Sequence, residues 1–489
     1  MDYIDFALSP ACQPILADSE DSLDLDTSVL DPRCITDSDF LPCIDSFLSH
    51  HQLSPEESAL ISPLTSLATG TYVLSLSGGV DSMCLLVLLR KLNVQFIAVH
   101  IRHSSRIEDT QKELDWVRYV CKRLGVPLYY HHVLVARPHG DDKGEITRDQ
   151  FEEYTRRIRF SMYRKAALLA WPKVSEIFVL IGHHLDDVDE NRIAELGKGN
   201  LIDIDGMTEE GEISGESLSC ISQLRPFCRD VRKFQLREFA INHGVPHMKN
   251  STPQWSKRGW IRDVLDQDEV AREIFVDKLD AMGRMSRNAD DAVNAVCNSW
   301  TSCCPIGCRE ISGNTKTKNF RFVKCVSVDL QSLVERVNDE VVPVVTAMTE
   351  LVRDFAPSWN NACKNMKETR GVSDCPIQEI GTGSTDLLVV CLTRALQVCF
   401  KDLRDLLGVD KFIPRKSAAQ LVDLVNSGRN CVTWKINRID VHMIRVSECW
   451  YVLNTGELDT VLKSVFGGSM EAFRKCILSN PDKIRLVSN

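Results

Sequence analysis

Residues 72–92 read YVLSLSGGVDSMCLLVLLRKL, and this stretch decides the fold. Tyr72-Val73-Leu74-Ser75-Leu76 is a short apolar run of strand length, while Met83 to Leu89 is apolar on nearly every helical face, as in a buried helix. Between them, Ser77-Gly78-Gly79-Val80-Asp81-Ser82 must turn the chain tightly. A strand that turns straight into a helix aims first-turn N–H groups and the positive end of the helix dipole past the strand end, which makes an anion cradle. Gly78 and Gly79 let the main chain approach a phosphate closely. Ser77 and Ser82 can donate hydroxyl hydrogen bonds, and Asp81 can hold a metal ion or orient a donor. The plain alternative is a Gly-Gly turn that only caps a helix; the strand before it and the buried helix after it favour phosphate.

Working outward, Gln95 to His100 reads as a second strand. Leu114, Val117, Cys121 and Leu124 mark a helix that stops at Gly125 before a third strand, Val126 to Val133. Phe151, Tyr154, Ile158, Met162 and Leu169 give an amphipathic helix, followed by a strand from Glu176 to Gly182. This alternation predicts an α/β fold, a doubly wound parallel sheet. Thr208 to Ser222 is polar and reads as a loop or insertion, and Asp230 and Gly244 bound a short helix as N-cap and C-cap. Phe275, Leu279, Met282, Ala289, Val293, Val296 and Trp300 keep one face of a longer helix, expected to be an arm leading out of the first domain. Beyond Asn314, short strands (Phe320 to Val328, Cys431 to Trp434, Met443 to Val446, Trp450 to Leu453) mixed with helices predict a smaller α+β domain. The expected organisation is an acidic leader over 1–54, a domain with the phosphate loop over 55–267, a helical linker over 268–313 and an α+β C-terminal domain over 314–489.

The 489 residues carry a net charge of -10, but Met1 to Gly70 holds 13 Asp+Glu against the single Arg33, so the acid is concentrated there. Met1 to about Ser54 reads as mostly disordered, with one docking turn around Phe40, Leu41, Phe47 and Leu48. An acid-rich leader also argues against an organellar presequence, so a cytoplasmic location is expected. Leu387 to Phe400 is the best membrane candidate and is too short, with Arg394 inside it, so no membrane partner is expected. The 19 cysteines contain no C-x-x-C, which weakens a zinc or iron–sulfur reading of Cys297, Cys303, Cys304 and Cys308 and suits a reducing compartment.

Three further constellations carry chemistry. His183-His184-Leu185-Asp186-Asp187-Val188-Asp189-Glu190 follows a strand directly, at the sheet edge where doubly wound folds bind ligands. Asp187 and Glu190, three apart, share a helix face and make an anionic pocket suited to an ammonium group or a divalent ion; a helix start enriched in acids is the bland alternative. Arg156 and Arg159 lie along one side of a helix, as phosphate ligands or as a solvated charge face. From Arg225 to Arg262 there are nine Lys+Arg against two acids, with Phe227, Trp255 and Trp260 interleaved, a pattern that suits single-stranded RNA. Arg232, Lys233, Arg237, Arg258 and Arg262 are the RNA-binding candidates within it.

With these motifs in place, the chain resembles the tRNA(Ile)-lysidine synthetases, within the N-type PP-loop ATP pyrophosphatases. SGGVDS looks like the PP-loop, His100 to Arg106 stands where that family has H-V-D-H-x-L-R, EEYTRRIRF (152–160) resembles E-x-x-A-R-x-x-R-Y, and GHHLDDVDE (182–190) resembles A-H-H-x-D-D-x-x-E. Arg225-Pro226-Phe227 and Arg258 to Arg262 resemble R-P-L and R-N-x-I-R, with a weaker echo from Pro414 to Leu453. Arg102 stands where the family has an acid, and Gly259 where it has Asn. The resemblance implies a Rossmann-like PP-loop domain that binds ATP through Ser77, Gly78, Gly79, Val80, Asp81, Ser82, His103, Arg106 and Arg159. It also implies catalysis through Asp81, Arg156, Asp187 and Glu190, the last two holding free lysine.

The expected reaction is ATP-dependent lysidine formation on the anticodon loop of a tRNA. ATP adenylates the C2 carbonyl oxygen of a cytidine, Mg²⁺ offsets charge on the phosphates, and the lysine ε-amine displaces AMP. A PP-loop tRNA thiolase and a non-catalytic RNA-binding protein are the alternatives. The oligomeric state is open, a homodimer included, and no resident metal site is assigned.

Overall fold

The computed structural model describes residues 30, 41–50, 52–103, 107–133, 148–202, 204–212, 221–248, 257–266, 269–303, 307–314, 319–370, 380–381, 387–399, 415–427, 429, 431–436, 439–446, 449–453, 469, 471–472, 475 and 485–488. They fall into two compact units, Met1–Asn191 with Gly206–Trp260, and Arg192–Asp205 with Ile261–Asn489.

The first unit is built on strands β1 (Thr71–Ser75), β2 (Gln95–His103), β3 (Leu128–Val133), β4 (Ile177–Leu180), β5 (Glu210–Glu212) and β6 (Ile221–Leu224), in the order β3-β2-β1-β4-β6-β5. All pairs are parallel except β5 with β6. Its helices are α1 (Leu41–Ser49), α2 (Pro55–Ile61), α3 (Val80–Lys91), α4 (Ile107–Arg123), α5 (Arg148–Ala170), α6 (Leu185–Gly197), α7 (Lys233–Asn242) and α8 (Lys257–Leu265), of which α6 and α8 run on into the second unit. The strand pattern explains the layering: Val73 and Leu74 are both fully buried, yet successive residues point to opposite faces. Leu74 packs in one apolar cluster with Leu85, Leu88 and Phe239 from α3 and α7, and Val73 in another with Ile158, Met162 and Ala166 from α5.

The chain lays β2 and β3 on one side of β1 and then crosses to place β4 on the other. The strand order therefore reverses between β1 and β4, and in open α/β sheets ligands bind at such a switch point, beyond the carboxyl ends of the strands. The doubly wound expectation holds. Thr208 to Ser222, expected as a loop, contributes the antiparallel edge strand β5.

Within the leader, the expected docking turn is a helix. α1 buries Ile44 and Phe47 in the same cluster as α3, and Leu30 is buried there too. Helix α2 starts in a capping box, the Glu57 N–H donating to Ser54 Oγ at 3.1 Å and the Ser54 N–H to Glu57 Oε2 at 2.6 Å.

The second unit contains α9 (Glu269–Cys303), α10 (Leu330–Arg336), α11 (Val342–Arg370), α12 (Leu387–Cys399), α13 (Arg415–Asn426) and an antiparallel six-stranded sheet. Its strands are β7 (Gly307–Asn314), β8 (Asn319–Val328), β9 (Cys431–Ile436), β10 (Ile439–Val446), β11 (Cys449–Leu453) and β12 (Arg485–Ser488), ordered β12-β7-β8-β11-β10-β9. Helix α9 packs against α11 and α12, burying the whole face from Phe275 to Trp300 that its spacing marked out. Phe355 stacks on Trp359 at 5.9 Å and meets the Phe275 edge at 5.5 Å. Arg394, which interrupts the apolar run of α12, is paired with Asp290 of α9 at 2.7 Å. Among the described residues no helix is long and apolar enough to cross a membrane.

Candidate functional site

The turn between β1 and α3 is held open as a cradle. Gly78 adopts φ +83°, a left-handed conformation that costs a side-chain-bearing residue about 1–2 kcal/mol. Its carbonyl accepts the Met248 N–H at 2.9 Å. Gly79 is the N-cap of α3 and no side chain caps that helix, an arrangement that suits an anion at its first turn. The serines brace the turn from within. Ser82 Oγ donates to the Gly79 carbonyl at 3.1 Å, accepts the Ser77 N–H at 3.2 Å and lies 3.1 Å from Ser77 Oγ. The hydroxyls expected to meet a ligand are thus already bonded to the loop.

The strand ends are fixed by neighbours. Burial holds the pKa of His100 below its usual value, so the neutral ring donates Nδ1–H to the Leu76 carbonyl at 2.8 Å. The Tyr163 hydroxyl, from α5, donates to Ser75 Oγ at 2.6 Å. At the end of β4, Gly182 lies so close to α3 that an added Cβ would stand 3.0 Å from the Asp81 carbonyl carbon and 3.1 Å from the Ser82 nitrogen. Only glycine lets the two loops meet at that distance.

The two adjacent histidines after β4 face opposite fields. His184 is fully buried, with Nε2 3.5 Å from Asp81 Oδ1 and 3.4 Å from Asp187 Oδ2, and Nδ1 3.5 Å from Asp186 Oδ2. Burial opposes its charge, but Asp81 and Asp187 outweigh burial and raise its pKa above the usual value. In turn, burial would raise Asp81, but the His184 ring and Lys233, at 3.4 Å, lower it to about 2. His183 is half-buried, and the desolvation of its ring, with Arg258 and Arg225 as cationic neighbours, lowers its pKa to about 4 against the pull of Asp187. The charged form is thus favoured for the imidazole among carboxylates and disfavoured for the one beside the arginines.

Helix α7 closes the acidic side. The Lys233 N–H donates to Asp186 Oδ2 at 2.7 Å, so an acid from α6 caps α7. Arg232 bonds Asp189, which is 1% exposed, and lies 3.5 Å from Asp186. The charges of Arg232 and Lys233, two of the RNA-binding candidates, are thus met by Asp189, Asp186 and Asp81. Arg258 is exposed and Arg237 half-buried, while Arg262 belongs to the second unit. Arg156 and Arg159 are exposed on α5, Arg156 5.8 Å from the Phe160 ring centroid. Asp187 and Glu190 are 5% and 1% exposed. Arg106, Cys304 and Trp255 lie outside the described residues, and so do the side chains of His103, Cys303 and Cys308.

Arg225, His183 and His184 stand in the quoted motifs without a sequence-assigned role. Arg225 donates to Gln223 Oε1 at 2.7 Å and to the Thr208 carbonyl at 2.8 Å, and burial followed by the neighbouring Arg156 lowers its pKa. The HH dipeptide was the available signal, but which ring faces which charge is set by the strand end.

Fold and site together define the class. Residues 53–268 match the family model described as the PP-loop domain. It is similar to the tRNA(Ile)-lysidine synthase of Chlamydia muridarum, 30% identical over 185 residues, 37% of this chain and 51% of that protein. It is also similar to the tRNA(Ile)-lysidine synthases of Thermotoga sp. strain RQ2 (28% over 196 residues, 38% of this chain and 42% of that one) and of Mycoplasma pneumoniae (27% over 217 residues, 44% and 68%). The chain spans about half the length of the curated relatives it matches. Among solved structures, the U34-tRNA thiolase of Methanococcus maripaludis aligns over 50% of this chain and 81% of its own, with TM-score 0.35 and 15% identity.

Proposed function

We propose that the protein is an ATP-dependent tRNA-modifying ligase that attaches lysine to an anticodon cytidine. The observation that carries this reading is the meeting of the Ser77–Ser82 cradle with the His183–Glu190 segment at the β1/β4 switch point, in a domain similar to lysidine synthases.

The cradle fits a nucleotide triphosphate. The first turn of α3 has no side-chain cap, so its backbone N–H groups can meet an anion at the helix N-terminus, and Lys233, 3.4 Å from Asp81, adds positive charge there. Mg²⁺ is a different case. Among the described residues no three His, Cys, Asp or Glu side chains converge as a metal cage, and the Asp81 charge is already met by His184 and Lys233. A divalent ion would arrive on the phosphates, as Mg²⁺ commonly does.

In this reading, the cradle positions the triphosphate so that the cytidine carbonyl oxygen attacks its α-phosphorus and pyrophosphate leaves. Arg156 and Arg159, exposed on α5, are placed to meet phosphate charge. Asp187 and Glu190 are the proposed lysine pocket, supported by their burial at the start of α6. The cytidine has to leave its loop stack to reach the sheet edge.

The test is mass spectrometry of nucleosides from tRNA incubated with the protein, ATP and isotope-labelled lysine. The expected product is a cytidine carrying the labelled lysine, with one pyrophosphate released per product. Pyrophosphate release with no label in the nucleoside would retain an adenylating enzyme, the thiolase alternative included, and remove lysine as the nucleophile. No nucleotide turnover with any tRNA would remove the enzyme reading altogether.

A further inference from the structure

The residues before the PP-loop domain grip helix α3 at both ends. At its N-terminal end, Leu30 forms an antiparallel bridge with Met248, and the Met248 N–H holds the Gly78 carbonyl at 2.9 Å. The Met248 side chain also closes on the loop, its Cγ 3.2 Å from where a Gly78 Cβ would stand. Leu30 and Met248 are 1% and 5% exposed and share the apolar cluster that contains Val80, the first residue of α3. At the other end, Lys91, the last residue of α3, donates Nζ–H to the carbonyl of Phe47 at 2.6 Å and to those of Leu48 and His50. It thereby caps the C-terminus of α1, with its ammonium 4.9 Å from the Phe47 ring centroid. Phe47 is locked in turn by Phe239 at 5.1 Å and His243 at 4.6 Å from α7 and its C-cap.

We infer that Leu30 and Met248 are positioning residues for the phosphate cradle, and that Leu30 together with helix α1 forms an intramolecular brace that fixes α3 and its glycine turn. The family match begins at residue 53, so this brace is additional to the PP-loop domain itself. A left-handed glycine with no capping side chain has many accessible conformations, and a fixed carbonyl at Gly78 removes most of them. Pre-organisation of this kind raises affinity by lowering the ordering cost of binding. The inference rests on the nucleotide reading only where ATP binding is the readout; the rigidity of the turn is independent of it.

The experiment uses the full chain with Leu30→Asp, Leu30→Met and Lys91→Met, measured by amide hydrogen exchange and by ATP binding calorimetry, well below each variant's Tm. Leu30→Asp is expected to speed exchange of the amides of residues 77–83 by about tenfold while those of α5 and α9 are unchanged, and to weaken ATP binding by a similar factor. Leu30→Met should restore both, and Lys91→Met should give the same pattern at smaller size. If Leu30→Asp fails to fold, Lys91→Met, which leaves the core intact, decides. Exchange that rises uniformly over the unit, or a lower Tm with unchanged exchange in 77–83, would overturn the brace and leave Leu30 as core packing. A wild-type chain that binds no ATP would sink the nucleotide reading, and the exchange pattern would still decide the brace.

Discussion

Asp81, from the first turn of α3, and His184, from the loop after β4, face each other at 3.5 Å and tie the phosphate turn to the second loop of the site. The pair is why both loops stay at the sheet edge in one arrangement. Its pH dependence follows from the two shifts. Asp81, lowered from 3.8 to about 2, contributes stability that is present above 3.8 and lost as pH falls toward 2. His184, raised above 6.5, contributes stability that is full below 6.5 and lost as pH rises through its folded value. The link is strongest between those limits. NMR titration of the His184 ring should give a midpoint above 6.5, and Asp81→Asn should lower it, because burial then acts with less opposition. An unchanged midpoint in the variant would show that Asp81 is not the partner that matters.

Asp81→Ala should abolish nucleotide turnover, and it should also cost stability. It leaves the buried His184 and the Lys233 ammonium without one of their carboxylates, a loss on the order of 1–3 kcal/mol. Urea unfolding followed alongside pyrophosphate release separates the two effects. A variant as stable as the wild type would mean that the loop is a surface turn with no role in holding α3.

Gly182→Ala tests the contact between the loops. The added methyl would meet the Asp81 carbonyl carbon at 3.0 Å, and backbone cannot yield as a side chain does, so α3 has to shift. Overpacking of this kind costs about 1–3 kcal/mol, and ATP affinity should fall with it. ATP binding at wild-type strength would show that the cradle tolerates the displacement.

Much of this was legible in the chain because it is local. The strand, glycine turn and buried helix over 72–92 are a single continuous signal, and the seven apolar positions from Phe275 to Trp300 keep one face through to burial. What was not legible depends on residues far apart in sequence. Arg232 meets Asp189 from 43 positions away and the Lys233 N–H meets Asp186 from 47, so a run of basic residues read by composition looked free when part of it was paired. Strand β7 (GCREISGN) has little apolar patterning of its own, and its place follows from pairing with β8 and β12. Helix α1 is too short to stand alone, and its order comes from docking Ile44 and Phe47.

Glu190→Gln addresses the amine. Glu190 is 1% exposed at the start of α6, and losing one pocket charge should raise the lysine concentration needed for half-maximal turnover about tenfold, with ATP binding unchanged. Equal loss at all lysine concentrations would place the amine elsewhere.

Arg232 and Arg258 make opposite predictions for tRNA. Arg258 is exposed, its charge reaches the half-buried His183, and among the described residues it has no ion-pair partner that an approaching phosphate would have to displace. Arg258→Ala should weaken tRNA binding and flatten its salt dependence by about 0.7–0.9 of a unit in log–log slope, the signature of one lost phosphate contact. Arg232→Ala removes a cation from Asp189, which is 1% exposed, and breaking a buried pair from one side costs about 3 kcal/mol. Its effect should therefore appear as a lower Tm, with the salt slope of the folded protein unchanged. Filter binding of tRNA from low to high salt, run beside thermal unfolding, reads both quantities on the same samples. If Arg232→Ala flattens the slope as much as Arg258→Ala does, the Asp189 pair opens to RNA; if neither does, the basic segment from Arg225 to Arg262 is a solvated face and tRNA binds elsewhere.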